Sequence, residues 1–137
     1  MKVSQKLEYA CRAMIQLGKS CVGDQVLRVD DLAEKESISP TFLVQILNDL
    51  RRAGLVQSRR GKMGGYCLAT APTEITMSAI VKAVEGSVLG IDSDRKGDSG
   101  ERVADIWVEV AEHLEAKMAS ITLQEMMSQE GLLEYYI

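Results

Sequence analysis

A chain of 137 residues, 46 % hydrophobic and 26 % charged, has enough apolar material for one core and too little length for two large ones. No apolar run approaches the ~20 residues of a membrane helix, and the start M-K-V-S-Q-K lacks a signal peptide's apolar centre, so the expected location is cytoplasmic with no membrane partner. The net charge of −4 conceals two halves: residues 1–73 carry 11 basic and 7 acidic side chains, net +4, and residues 74–137 carry 5 and 13, net −8, a polarity that points toward a polyanion on one side.

Ser4 to about Leu17 reads as a core helix continuing toward Cys21, with an apolar stripe of Leu7, Ala10, Cys11, Met14, Ile15 and Leu17. Gly23 and Asp24 make a turn, and Val26 to Val29 is short enough for an edge strand beside a later hairpin. Asp30 to Glu36 is a compact helix with Leu32 and Ala33 inward. Ser37 and Ile38 then form the turn of a helix-turn-helix.

The second helix of that motif starts at Ser39, a good N-cap, with Pro40 in the first turn and Gly54 as the stop. Phe42, Leu43, Ile46, Leu47 and Leu50 repeat on one face. The other face carries Thr41, Val44, Gln45, Asn48, Arg51 and Arg52, and its N-terminal side chains, with Ser39, suit base edges in a major groove. Leu55–Ser58 and Gly65–Leu68 form a two-stranded ribbon whose tip bears Arg59, Arg60 and Lys62. Between Leu50 and Thr73 there are five Lys or Arg residues and no Asp or Glu, a composition fit for a phosphate backbone.

Beyond a loop marked by Pro72, Met77 to Val84 is a helix capped by Thr76 and closed by Gly86. Residues 87–100 turn to Gly, Ser and Asp and read as a flexible loop. Glu101 to about Ser120 is a long helix with Val103, Ile106, Trp107, Val110, Leu114 and Met118 as a narrow apolar stripe, suited to a helix-helix seam between two copies. Thr122 and Glu125 fit a capping box for a last short helix, followed by the apolar tail Leu132–Ile137.

Taken together, M-K-V-S-Q-K-L-E-Y-A-C-R-A-M, R-R-A-G-L-V-Q-S-R-R-G-K-M-G-G-Y, A-V-E-G and the late I-T-L-Q-E give a chain that resembles the Rrf-two family of bacterial winged helix-turn-helix transcription regulators, the IscR, NsrR and CymR group. The resemblance implies a mainly α fold with a small β-wing: a DNA-binding domain over residues 1–86, the loop at 87–100, and a dimerisation helix with its tail over 101–137. It implies a homodimer on a pseudo-palindromic duplex. The DNA-binding set would be Ser39, Pro40, Thr41, Val44, Gln45, Asn48, Arg51, Arg52, Arg59, Arg60, Lys62, Gly64, Gly65 and Tyr66. Many members of the family hold an iron-sulfur cluster on three cysteines in the loop after A-V-E-G. This chain has no cysteine between Gly86 and Trp107; Ser93, Ser99 and Asp105 stand at a similar six-residue spacing.

Hydroxyls are hard, mostly protonated ligands and replace thiolates poorly. Glu8, Cys11 and Asp105 form a second, weak ligand set with a single thiol. No cofactor is therefore expected, and any small-molecule or protein effector would act through the 87–100 loop. Cys11, Cys21 and Cys67 are odd in number and lack a C-x-x-C pair, so neither a disulfide framework nor a zinc finger follows, and reduced thiols are expected. An enzyme is not expected: the single histidine, His113, stands beside Glu109 and Glu112 with no marked nucleophile, and there is no phosphate-loop or dinucleotide motif. Two alternatives remain: a winged helix that binds protein, and a cluster- or thiol-based redox sensor of the same family.

Overall fold

Hydroxyl side chains fix four of the helix starts. Ser4, Ser39, Thr76 and Thr122 each accept a hydrogen bond from the backbone N–H three residues on, those of Leu7 (3.0 Å), Phe42 (3.2 Å), Ala79 (3.1 Å) and Glu125 (3.2 Å). The computed structural model describes residues 2–21, 25–62 and 64–128. Its order is α1 (Gln5–Ser20), α2 (Val29–Glu36), α3 (Pro40–Arg52), β1 (Val56–Arg59), β2 (Gly65–Leu68), α4 (Met77–Glu85), α5 (Gly100–Ala119) and α6 (Leu123–Met127). The turn expected at Gly23–Asp24 and the tail Leu132–Ile137 lie outside the described residues. No helix among the described residues is long and apolar enough to cross a membrane.

The core gathers around α1, which packs on α2, α3, α4, α6 and β2. Leu7, Ala10, Met14 and Leu17 of the expected stripe are buried, while Cys11 and Ile15 flank it half-buried. From α3 come Leu43, Ile46, Leu47 and Leu50, none with any exposure, and Leu32 of α2 and Ile80 of α4 complete the packing. Each such side chain contributes about 2 kcal/mol by leaving water.

Two features depart from local expectation. Val26–Val29 is no strand: a single bridge joins Leu27 to Tyr66, and Val29 is already the first residue of α2. Three acidic or apolar residues after Arg28 suit a helix start, since Asp30 and Asp31 sit favourably on its N-terminal dipole. To the unit expected over residues 1–86, the structure adds residues 121–127. Leu123 is fully buried, its N–H donates to Ile75 O (2.7 Å), and Met77 N–H donates to Ile121 O (2.8 Å). The chain thus leaves the core along α5 and returns to it through α6.

α5 is held on one side only. Ala104 is its one buried residue; Glu115 takes hydrogen bonds from Ser78 and Lys82 of α4. Val103, Ile106 and Trp107 of its N-terminal half stand open.

Candidate nucleic-acid interface

The recognition face is built by what holds α3 down. Tyr9 of α1 meets Phe42 edge-on with ring centroids 5.7 Å apart, and the Arg12 guanidinium lies 4.9 Å over the Tyr9 ring. Arg12 also pairs with Glu8 (3.0 Å) and Glu36 (3.4 Å) and donates to the Glu36 carbonyl. Glu36 is the last residue of α2, so Arg12 ties α1 to the turn of the helix-turn-helix. The Glu8 and Glu36 hydrogen bonds raise its pKa beyond the ordinary arginine value, and the side chain stays charged under all working conditions.

With the apolar face of α3 buried, Ser39, Pro40, Thr41, Val44, Gln45, Arg51 and Arg52 are exposed and Asn48 is half-exposed. Val44 is 38 % exposed, a large apolar side chain left in water among polar ones. The acid on α3, Asp49, is turned inward: it pairs with Lys6 of α1 at 2.6 Å, and Arg52 lies 3.8 Å from its other oxygen. Its negative charge is thus neutralised on the α1 side of the helix. The structure thus takes this carboxylate off the exposed face.

The wing follows directly. β1 and β2 pair antiparallel in the register Val56↔Leu68, Gln57↔Cys67, Ser58↔Tyr66 and Arg59↔Gly65, and Arg59, Arg60 and Lys62 are all exposed. Gly64 and Gly65 have a backbone task. A side chain at Gly64 would meet the Arg59 carbonyl at 2.4 Å, and one at Gly65 would meet the Leu27 carbonyl at 2.5 Å. That closeness lets Leu27 and Tyr66 exchange two 2.9 Å hydrogen bonds, which anchor the wing to the segment before α2. Tyr66 is half-buried against the core.

Sequence reasoning left out Arg28. It is exposed at the N-terminal boundary of α2, beside the Leu27–Tyr66 bridge and hence at the wing's root. Its signal was available as a lone basic residue directly before an acidic helix start. Only the bridge shows which element it adjoins.

The seam residues divide. Val103, Ile106, Trp107 and Val110 are 41–49 % exposed, and Val103 and Trp107 line a cavity of about 350 Å³ with Leu89, Ile91 and Ser93. Leu114 and Met118 are half-buried and line a second cavity of about 670 Å³ with Leu7, Val81 and Val88. His113 rests its Nδ1 2.9 Å from the Glu109 carbonyl.

Burial first, then the neighbouring Glu8 carboxylate, pushes the Cys11 thiol up to about 11. Burial, then proximity to Cys67, also raises Cys21, whose Sγ–H donates to the Tyr66 carbonyl at 3.4 Å. Such thiols carry little thiolate at neutral pH and react slowly.

An iron group does not fit this donor set. Ser93 spends its hydroxyl as acceptor for the Arg95 N–H (3.2 Å), Asp105 pairs with the Arg95 guanidinium (3.0 Å), and no thiol lies in the segment. Glu8 is paired with Arg12, and within one chain the described residues show no group of three His, Cys, Asp or Glu side chains placed to hold a metal.

A helix-turn-helix carrying an antiparallel wing, with the exposed helix face and the wing tip both basic, defines the winged helix-turn-helix class. The family model for Rrf2, described as an iron-dependent transcriptional regulator, matches residues 3–129. The chain belongs to the Rrf2 family of transcriptional regulators. It is 37 % identical over 131 residues to a protein of Mycobacterium tuberculosis strain H37Rv, covering 92 % of this chain and 81 % of that one. The HTH-type transcriptional regulator CymR of Bacillus subtilis is 30 % identical over 138 residues, covering 100 % of this chain and 98 % of CymR. The solved structure of B. subtilis CymR, titled the global cysteine regulator, superposes with a TM-score of 0.79 at 29 % identity, over 93 % of this chain and 96 % of CymR. These relatives are named as transcriptional regulators.

Proposed function

We propose that the chain acts in the cytoplasm as a homodimer that binds a pseudo-palindromic duplex, with α3 in the major groove and the wing on phosphates or in the adjacent minor groove. The units are those read from the sequence, a DNA-binding part over residues 1–86, a linking segment at 87–100 and a dimerisation part over 101–137, with residues 121–127 of the last also packed against the first. Ser39, Thr41, Val44 and Gln45 face bases; Asn48, Arg51, Arg52, Arg59, Arg60 and Lys62 hold the backbone. Gly64, Gly65 and Tyr66 shape the wing that carries those charges.

The observation that carries this reading is the exposed face of α3 together with the wing tip. Five basic side chains are exposed there, and the helix's own carboxylate is withdrawn to Lys6. A surface for a protein partner has no need to remove its acids; a surface for phosphates does. Dimerisation is supported by Val103, Ile106, Trp107 and Val110, which form an exposed apolar row on a helix that is otherwise acidic. No iron-sulfur cluster is proposed, because the loop carries no thiol and both Ser93 and Asp105 are bonded to Arg95.

Selection from a random duplex pool by the purified protein is the test. Selected fragments should share an inverted repeat with half-sites one or two helical turns apart. Recovery of unrelated sequences, bound no more tightly than the starting pool, would overturn the reading.

A further inference from the structure

The segment before α5 is exposed throughout residues 91–99, yet it has a definite shape. Arg95 is at its centre. Its backbone N–H donates to Ser93 Oγ at 3.2 Å, and its guanidinium Nη1 reaches Glu101 at 2.8 Å and Asp105 at 3.0 Å. Glu101 and Asp105 lie four residues apart on the first turns of α5, so one planar cation spans two carboxylates on the same helix face.

The backbone agrees with the side chains. Arg95 has φ of 60°, a left-handed conformation that residues with a Cβ seldom adopt. A side chain at Gly100 would meet the Arg95 carbonyl carbon at 2.6 Å and its oxygen at 2.8 Å. Only glycine at the start of α5 lets the chain fold back this closely. Lys96 N–H donates to Asp94 (2.9 Å), and Gly100 N–H donates to Gly97 O (3.3 Å). The turn is therefore closed at both ends.

Ser93 and Asp105 occupy two of the three positions whose six-residue spacing resembles a cluster-binding loop, and both are bound to Arg95. We propose that Arg95 is a metal-free clasp: its charge on Glu101 and Asp105 ties residues 93–99 to α5, in the place where a family described as iron-dependent would otherwise ligate metal. A guanidinium already seated on Asp105 repels a cation from the same carboxylate. The fold of this loop, and through it the placing of Ile91 and Ser93 against Val103 and Trp107, then needs no iron.

Hydrogen exchange of the full-length protein, followed by mass spectrometry on peptides spanning 92–106, tests the clasp without any DNA. Arg95→Ala should speed exchange there by about threefold to tenfold, the range that two exposed charge pairs supply. Arg95→Lys should fall between, and wild type in about 1 M salt should approach the alanine variant. Gly100→Ala should open the same peptides while leaving those of α1 and α3 unchanged. Anaerobic treatment of wild type with ferrous iron and sulfide should leave both exchange and the visible spectrum as they were. Exchange in Arg95→Ala equal to wild type would overturn the proposal, as would a treated wild type that turns brown and gains protection in 92–106. The consequence for regulation rests on the DNA-binding reading above and is tested separately: duplex affinity of wild type should not change with an iron chelator. Should no duplex bind, the DNA reading fails while the exchange result still decides the clasp.

Discussion

Side chains that read bases and side chains that hold phosphates fail differently when removed, and α3 offers the first kind at Gln45. Gln45 is exposed within the first two turns after the Ser39 cap, with a carboxamide able to pair with adenine in a major groove, while Val44 and Thr41 present methyl groups suited to thymine. Gln45→Ala should cost about 1 to 3 kcal/mol on the selected duplex and little on random DNA. Titration of both duplexes at one salt concentration checks this; equal losses on both would mean that Gln45 does not read sequence. Cys11 belongs to the same scale and concerns stability. Its thiol is pushed up to about 11 by burial and then Glu8, from an ordinary 9.0. The folded chain therefore holds this proton more tightly than the unfolded chain does. Its stabilising contribution is full below pH 9 and is lost as pH rises toward about 11. Urea midpoints of wild type should fall more steeply across that window than those of Cys11→Ala, and equal slopes would refute the assignment.

At the scale of elements, what could be read along the chain was whatever is written locally. Ser39-Pro40 and the repeat from Phe42 to Leu50 place the start of α3 to the residue and its buried face, because capping and helical period are properties of neighbours in sequence. Val26–Val29 shows the limit: β-branched residues suggest a strand, but the acidic residues after Val29 start a helix, and only a single bridge remains. The contacts that orient the site were not legible at all. Arg12 with Glu36 and Lys6 with Asp49 join residues far apart in the chain, and nothing in the local pattern marks either pair. The stripe on α5 was legible as a period and not as a surface, since Leu114 and Met118 turn toward α1 and α4 while Val103 to Val110 stay open. Val110→Asp places a charge in that open row without touching the core. Sedimentation should show a monomer with α-helical content unchanged and tight duplex binding lost; a Val110→Asp protein that remains a dimer would place the seam elsewhere.

For the whole molecule, the division of charge decides how it meets DNA. The half with net +4 holds α3 and the wing, and the half with net −8 holds α5, so a duplex attracts one side and repels the other. Affinity should then fall steeply with salt, because each phosphate contact releases about 0.9 of a condensed counterion. Arg60, exposed at the wing tip, is suited to count the copies on DNA. In a homodimer the substitution Arg60→Ala is made twice, so the slope of log affinity against log salt should flatten by about 1.8, whereas a single bound wing would give about 0.9. Preference for the selected duplex over random DNA should stay as it was, since phosphates carry no sequence. Combined with Val110→Asp, which is expected to leave monomers, the same substitution should change the slope by only about 0.9. Binding isotherms of the four proteins, recorded from about 50 to 200 mM salt, separate these cases. A flattening of about 0.9 in the dimer would mean that one wing alone reaches the backbone, and an unchanged slope with altered sequence preference would show that Arg60 reads a base.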